Sequence, residues 1–445
     1  MRLFFVSLGC DKNLVDSEKM LALLAKQDIS ITDVPQEAEI IIVNTCAFIC
    51  DAKEESIETI LEMAEYKRDG KCIALIVSGC LAQRYAEEIR KEIPEVDAVV
   101  GATAYASIAD VVCETINGKK GCYLAEPDYL PQNLISRICT SSAHTSYLKI
   151  AEGCNKRCTY CIIPYLRGNY RSIPIEELVA EASLLAERGT KELIVIAQET
   201  TLYGVDLYGE KRLPHLLREL CRIEGIEWLR VMYCYPEEIT KELLLTMKQE
   251  PKICHYLDLP IQHCNDEVLR RMGRRTTKQE LIQKLHEIRE VLPDVALRTT
   301  LISGFPGETQ KQHEECVDFA VKYQFERLGV FPYSPEEGTP AATMSDLPEE
   351  QIRRQWADEI MEAEQEVIFR QNEGMTGKVL SVLVDGYLPE DNVYVGRTYR
   401  DAPDIDGCVF FSAPYEIMSG TVLTIRITDA RGYDLVGEIW NEEEE

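Results

Sequence analysis

Ser146-Tyr-Leu-Lys-Ile-Ala-Glu-Gly-Cys-Asn-Lys-Arg-Cys-Thr-Tyr-Cys161 is a short, mostly apolar run that passes straight into a Cys-x3-Cys-x2-Cys loop. The run reads as a strand, so Cys154, Cys158 and Cys161 fall just beyond its carboxyl end. Four-iron clusters are held by cysteine thiolates. Three thiolates on four irons leave one iron open to another ligand. A structural zinc site calls instead for a fourth Cys or His at short spacing. None lies nearby, and His144 stands ten residues before the loop.

The residues after the loop give it a setting. Strands are predicted at 146–150, 192–197, 228–233, 256–259, 296–302 and 327–331, with helical stretches such as 175–187 and 278–291 between them. Six strand-helix units in about 200 residues predict an incomplete version of the eight-unit barrel, with its chemistry on the carboxyl-end face. An open iron on that face suits chelation of the amino and carboxylate groups of S-adenosylmethionine, followed by electron transfer into its sulfonium bond. The three cysteines are thus the ligands expected of a radical S-adenosylmethionine centre.

Upstream, the chain alternates strands predicted at 3–8, 39–44, 73–78 and 98–100 with helices near 15–27, 51–67, 82–91 and 105–117. Such alternation predicts a parallel sheet covered on both faces, with sites outside the carboxyl ends of its strands. Cys10, Cys46 and Cys80 each fall just after one of the first three strands, so the sheet would bring all three to one edge, as a second cluster needs. Taken singly, each reads better as a small buried residue at a strand end, and it is the convergence that favours a cluster. Cys50 competes with Cys46, being one helical turn further on. The N-terminal domain is assigned to residues 1–122 and the segment 123–145, with Pro127, Pro131 and a Ser/Thr run, to a linker. The barrel domain takes 146–370.

From residue 371 the pattern changes to short β runs at 379–384, 393–398, 409–411 and 421–428, which predicts a small antiparallel β-barrel. Between Gly374 and Glu445 there are 14 acidic and 5 basic residues, and Glu442 to Glu445 make an acidic end. A barrel that gripped RNA by its backbone should have the opposite balance.

The whole chain of 445 residues carries a net charge of -28, which repels nucleic-acid phosphates and suits a basic partner. Hydrophobic residues make up 45% of it, yet no apolar run is long enough to span a bilayer. The opening Met-Arg-Leu-Phe-Phe-Val is cut short by Gly9, Cys10, Asp11 and Lys12, as in a first strand rather than a secretion signal. A cytoplasmic location is expected. In a reducing compartment, 17 cysteines point to metal binding rather than disulfides. Cys72, Cys113, Cys122, Cys139, Cys221, Cys234, Cys254, Cys316 and Cys408 stand singly and read as small buried hydrophobes.

The motifs Ser7-Leu-Gly-Cys-Asp-Lys-Asn-Leu-Val-Asp-Ser-Glu18, Asn44-Thr-Cys46, Ser78-Gly-Cys-Leu-Ala-Gln-Arg84, the triple-cysteine loop and Phe305-Pro-Gly-Glu-Thr309 resemble those of the radical methylthiotransferases, in that family's order. Asp206-Leu-Tyr-Gly209, Pro260-Ile-Gln-His263 and Arg400-Asp-Ala-Pro-Asp-Ile-Asp-Gly407 are similar to the type that modifies a protein, at the β-carbon of an aspartate in ribosomal protein twelve of the small subunit. The resemblance implies an N-terminal methylthiotransferase domain with an auxiliary 4Fe-4S cluster on Cys10, Cys46 and Cys80. It further implies a radical domain with a second 4Fe-4S cluster and a C-terminal TRAM barrel. One S-adenosylmethionine would yield a 5′-deoxyadenosyl radical that abstracts hydrogen from the substrate carbon, and another would methylate sulfur held at the auxiliary cluster. A reducing electron donor is implied too. No catalytic group beyond the cluster ligands is assigned.

Candidates for holding the cofactor are Tyr160 in the loop and, near the strand ends, Glu199, Gln262, Arg298 and Gly304. His263 adjoins them. The polar side chains suit ribose hydroxyls or the carboxylate, and Gly304 would permit close approach. Equally, Arg298 and Glu199 could form an ion pair, and Phe305–Thr309 a turn with Glu308 in the first turn of a helix. Asp11, Glu199, Cys264 and Ile173 depart from the family pattern, which has proline, aspartate, a small residue and arginine there. Two other readings remain: a tRNA adenosine methylthiotransferase, which the acidic barrel disfavours, and a non-catalytic iron-sulfur scaffold.

Overall fold

A computed structural model describes residues 1–131 and 136–440. Part of the expected linker and the acidic run Glu442 to Glu445 lie outside the described residues.

The N-terminal domain is a parallel sheet of β1 (Arg2–Ser7), β2 (Ser30–Ile31), β3 (Ile40–Thr45), β4 (Ala74–Gly79), β5 (Ala98–Gly101) and β6 (Gly121–Tyr123), in the order β2-β1-β3-β4-β5-β6. Helices α1 (Asp11–Ala25), α2 (Cys50–Asp69), α3 (Cys80–Arg84), α4 (Ala86–Glu92) and α5 (Ile108–Ile116) connect the strands. The unbroken apolar runs of β3 and β4 are buried throughout, as strands covered on both faces must be. Two apolar layers flank the sheet, one including Ile41, Val43, Leu75 and Val77 and the other Ile40, Ile42, Ala74 and Ile76.

The central sheet runs β7 (Thr145–Lys149), then, beyond the hairpin of β8 (Ala151–Glu152) and β9 (Arg171–Ser172), β10 (Glu192–Ile196), β11 (Trp228–Val231), β12 (Ile253–Asp258), β13 (Ala296–Ser303) and β14 (Arg327–Pro332). Six of these, β7 and β10 to β14, lie side by side in sequence order, all parallel, and the sheet does not close. This is the incomplete barrel that the alternation predicts. Around it stand α6 (Ile163–Leu166), α7 (Ile175–Glu187), α8 (Val205–Tyr208), α9 (Leu213–Cys221), α10 (Lys241–Gln249), α11 (Asp266–Arg271), α12 (Lys278–Val291), α13 (Gln310–Tyr323) and the long α14 (Glu350–Glu373).

The C-terminal domain is a closed barrel of β15 (Val379–Leu388), β16 (Val393–Thr398), β17 (Val409–Ser412), β18 (Val422–Arg431) and β19 (Asp434–Ile439). The sequence pattern shows four of them and misses β19, whose apolar residues Leu435, Val436 and Ile439 are interrupted by Gly437 and Glu438. The expected antiparallel barrel needs one correction: β17 and β19 pair in parallel. A ring of five strands cannot alternate direction all the way round, so one pair must run the same way.

The domains are packed into one another. Ile162 and Leu166, next to the cysteine loop, join the N-terminal core beside Cys80 and Leu81. The segment read as a linker is anchored by Arg137, which is 1% exposed and pairs with Glu18 of α1 and Glu181 of α7, both at 3.4 Å. His144 bonds Asp385 of β15 at 3.0 Å, far from any role with the cysteine loop. The motif 400–407 enters the open barrel from below: Asp401 pairs with Arg327, and Asp406 accepts from Tyr256 at 2.8 Å. No helix among the described residues is long and apolar enough to cross a membrane.

Candidate active site

The cysteine loop leaves β7 through the β8–β9 hairpin. Gly153 has φ +78 and a Cβ there would strike the Asn169 carbonyl, so glycine is needed for the turn. Backbone bonds then fix the loop: Cys154 N–H to Gly168 O at 3.1 Å, Thr159 N–H to Met272 O at 2.9 Å and Cys161 N–H to Cys158 O at 3.1 Å. The Lys156 amide donates to Cys154 Sγ at 3.4 Å, and the Tyr235 hydroxyl shares a hydrogen bond with Cys158 Sγ at 3.6 Å. Burial first, and then neighbouring cysteines, push the Cys154 and Cys161 thiols up to about 12. Three clustered thiols in one loop, with an N–H on the sulfur of Cys154 and a phenol O–H beside that of Cys158, fit a group that takes thiolates and returns positive charge.

The structure also brings Cys10, Cys46 and Cys80 together. Strands β1, β3 and β4 are neighbours, and the register Ser7↔Asn44↔Ser78 aligns their carboxyl ends. Cys10 caps α1, Cys46 follows β3, and Cys80 opens α3. The surrounding motifs are a lattice of side-chain to backbone bonds that hold these ends level. Asn13 Nδ2 donates to Thr45 O at 2.9 Å, Asn44 Nδ2 to Asn13 O at 3.0 Å, and Thr45 Oγ1 to Ser78 O at 2.5 Å. Gly9, at φ +89, lets the turn press on Cys46, where an added Cβ would lie 2.7 Å from Cys46 Cβ and 3.0 Å from its Sγ. Burial and the other two sulfurs push the Cys46 thiol up to about 12, the same fit as in the cysteine loop. Cys50 is the first residue of α2, where its partly exposed thiol leaves the edge position to Cys46.

A buried charge network that the sequence reading missed joins the two sets. Arg167, just after α6, donates to Asp16 at 2.8 Å, Glu152 at 3.0 Å and Asn13 Oδ1 at 2.5 Å. Its Nη2 also points at Cys80 Sγ at 3.5 Å. Lys149 bonds Glu152 at 2.8 Å and pairs with Asp16, and Gln198 donates to Glu152 at 2.7 Å. The only signal in the sequence was chemical: Lys149 interrupts an apolar strand and Glu152 opens the loop. A second tie is Tyr233, whose hydroxyl donates to Asp11 at 3.0 Å, so the unusual Asp11 fastens α1 to the barrel.

The five cofactor candidates separate. Tyr160 meets Phe305 edge-on at 6.3 Å, and Phe305 meets Tyr333 at 5.0 Å, forming an aromatic wall beside the loop. Glu199 is buried with one oxygen on Thr201 and the other, Oε2, without a partner among the described residues. Burial raises its carboxyl to about 7. Gln262 adopts φ +70 and bridges to β13 through its backbone. Arg298 lies mid-strand and is held by Asp258 at 3.0 Å and Asp406 at 3.6 Å, so the weighed pair with Glu199 is not formed. The close approach at Gly304, φ +72, is made by Arg353 of α14.

His263 is buried between Glu308, 3.1 Å from Nε2, and the Asn265 amide, 3.0 Å from Nδ1. Glu308 therefore precedes α13 instead of lying in its first turn, and Thr309 caps the helix with Gln312 accepting its N–H at 2.9 Å. All 17 cysteines are free. Those read as single buried residues include Cys113, which is exposed, and Cys316, which lies within 4.8 Å of both Cys264 and His263. Ile173 hydrogen-bonds the barrel through its backbone, to Ile150 O at 2.9 Å.

Comparison with known proteins gives the same three-part division. The chain matches the models of Uncharacterized protein family UPF0004 over residues 2–101, the Radical SAM superfamily over 148–320 and the TRAM domain over 376–439. It is 55% identical to a protein of Lachnoclostridium phytofermentans named ribosomal protein uS12 methylthiotransferase RimO, over 98% of this chain and 99% of that one. A protein of the same name from Acetivibrio thermocellus is 48% identical over 98% of both. Among solved structures, the radical S-adenosylmethionine methyltransferase TsrM of Kitasatospora setae has a TM-score of 0.55 at 14% identity, covering 77% of this chain and 74% of that chain. At that identity the likeness concerns the fold alone.

Proposed function

The chain belongs to the ribosomal protein uS12 methylthiotransferase RimO family, and on that premise we propose that it adds a methylthio group to the β-carbon of an aspartate in that protein. It is a radical S-adenosylmethionine enzyme. We assign one 4Fe-4S cluster to Cys154, Cys158 and Cys161 and the other to Cys10, Cys46 and Cys80. The observation that carries the reading is the union of two three-cysteine sets at facing carboxyl edges, joined through one buried guanidinium.

An unactivated C–H bond yields to no acid or base in a protein, and a radical derived from the cofactor supplies that step. The chain's own part is to bind, orient and exclude water. The Lys156 amide and Tyr235 hydroxyl hold the sulfurs of Cys154 and Cys158. Glu199 offers its free Oε2 to an amino or hydroxyl group of S-adenosylmethionine, and Tyr160 with Phe305 closes one side against solvent. Gln262 completes the strand-end rim, whereas Arg298 and Gly304 support it through Asp406 and Arg353.

A basic ribosomal protein as substrate is supported by charge. Of the five basic residues in the C-terminal barrel, Arg397 is buried against Glu192 at 2.7 Å and Arg431 is paired with Asp429 at 3.4 Å, which leaves Lys378, Arg400 and Arg426 to hold phosphates amid an acidic excess. The reaction belongs in the cytoplasm, where that substrate is made, with a reducing electron donor. Anaerobic reconstitution with the ribosomal protein and with tRNA in parallel, read by mass, tests the choice. A methylthio gain on the protein is expected; gain on the RNA alone overturns it. Replacing Cys10, Cys46 and Cys80 together by Ala should abolish thiolation, keep cofactor cleavage and reduce iron from about eight to about four per chain.

A further inference from the structure

We propose that Arg167 is a positioning residue that raises the reduction potential of the cluster on Cys10, Cys46 and Cys80 by donating a hydrogen bond to the Cys80 sulfur. The inference rests on the cluster assignment made above. Arg167 is 2% exposed and comes from the radical domain, yet its Nη2 lies 3.5 Å from a sulfur of the N-terminal domain.

The ion pairing by itself does not account for this contact. Lys149 and Arg167 supply two positive charges, and Asp16 and Glu152 two negative ones, so the quartet is balanced among its own members. Arg167 engages both carboxylates through Nη1 alone. Nη2 is left to Asn13 Oδ1 and to Cys80, the only one of the three cysteines in a hydrogen bond to it among the described residues. Because Asp16, Glu152 and Asn13 hold the planar fork from three directions, it cannot swing away when the charge on sulfur changes.

Reduction adds an electron to a cluster whose sulfurs carry part of the charge. A donor fixed on one of those sulfurs in a dry interface stabilises the reduced form more than the oxidised one. Glu152, bonded to the same guanidinium, opens the loop that carries Cys154. The residue that tunes one centre is therefore also the one that keeps it in register with the other.

The test uses the full chain with Cys154, Cys158 and Cys161 changed to Ala, so that about four irons and one paramagnetic signal remain. Potentiometric titration followed by electron paramagnetic resonance then compares Arg167 with Arg167→Lys and Arg167→Gln. Both substitutions should move the midpoint to more negative potential, Gln further than Lys, at undiminished iron content. An unmoved midpoint with full iron overturns the proposal. A chain with Arg167 intact that binds no iron overturns the cluster assignment and the proposal with it. Should either substitution cost the fold, the same background with 15N-labelled arginine decides the matter: pulsed resonance on the reduced cluster should detect an arginine nitrogen coupling, and its absence overturns the proposal.

Discussion

Glu364 lies in α14 where the helix packs on the barrel, fully buried, and neither carboxylate oxygen has a hydrogen-bond partner among the described residues. Burial raises its carboxyl from 4.5 to about 8, against a partial offset from Arg327. The folded chain therefore holds a proton that the unfolded chain releases at lower pH, and stability falls as pH rises through that interval. Glu364→Gln should leave stability at pH 5 nearly unchanged and raise it at pH 8 by about 1–3 kcal/mol. Thermal melts across that range check this; a gap in melting temperature that does not widen with pH contradicts it. Glu199 has a similar burial but a different setting, with one oxygen on Thr201 and the other open beside the cysteine loop. An unpaired carboxyl inside a helix contact reads as a liability, whereas one at the carboxyl edge of a barrel reads as a site.

At the scale of elements, the turn from β1 into α1 does more than connect. Gly9 turns the chain at φ +89 against the Cys46 side chain, and Cys10 caps the helix that carries Asn13 and Asp16. Gly9→Ala combines left-handed strain with a clash at Cys46, so iron should fall by about four per chain while S-adenosylmethionine cleavage continues. Iron counting with a cleavage assay checks it, and full iron in the variant would show that the turn tolerates a side chain. Helix starts obey the same local logic: Thr277 with Glu280 forms the capping box of α12, as their spacing suggests. The brief α6 is different, because Leu166 is buried in the N-terminal core.

Across the whole molecule, the net charge of -28 should steer encounter with the basic partner proposed above. Surface charges act at long range and are screened beyond roughly 10 Å at 0.1 M salt. The association rate with the ribosomal protein should fall about tenfold or more between 50 mM and 0.5 M salt, while dissociation changes less. Stopped-flow measurement checks it, and a rate indifferent to salt would show that charge does not steer the encounter. Ion pairs tie the three domains together: Arg84 and Lys53 of the N-terminal domain grip Glu336 after β14, and Arg397 of β16 binds Glu192 of β10.

The sequence by itself determined the three-domain order, the open parallel barrel and the triple-cysteine loop, and it pointed to Cys10, Cys46 and Cys80 at one sheet edge with Cys50 still competing. These arise from local rules, since hydrophobic period, turn residues and ligand spacing are written along the chain. It also showed which strand ends carry polar residues, but not what those residues touch. Arg298 read as a cofactor contact or a partner of Glu199, until Asp406 arrived from more than a hundred residues away. Gly304 was cleared for Arg353, and β19 closes the barrel between the edges of β17 and β18. Only the tertiary structure decided that Arg167 joins Glu152 to Cys80, because pairing of buried charges depends on which surfaces meet when whole domains pack.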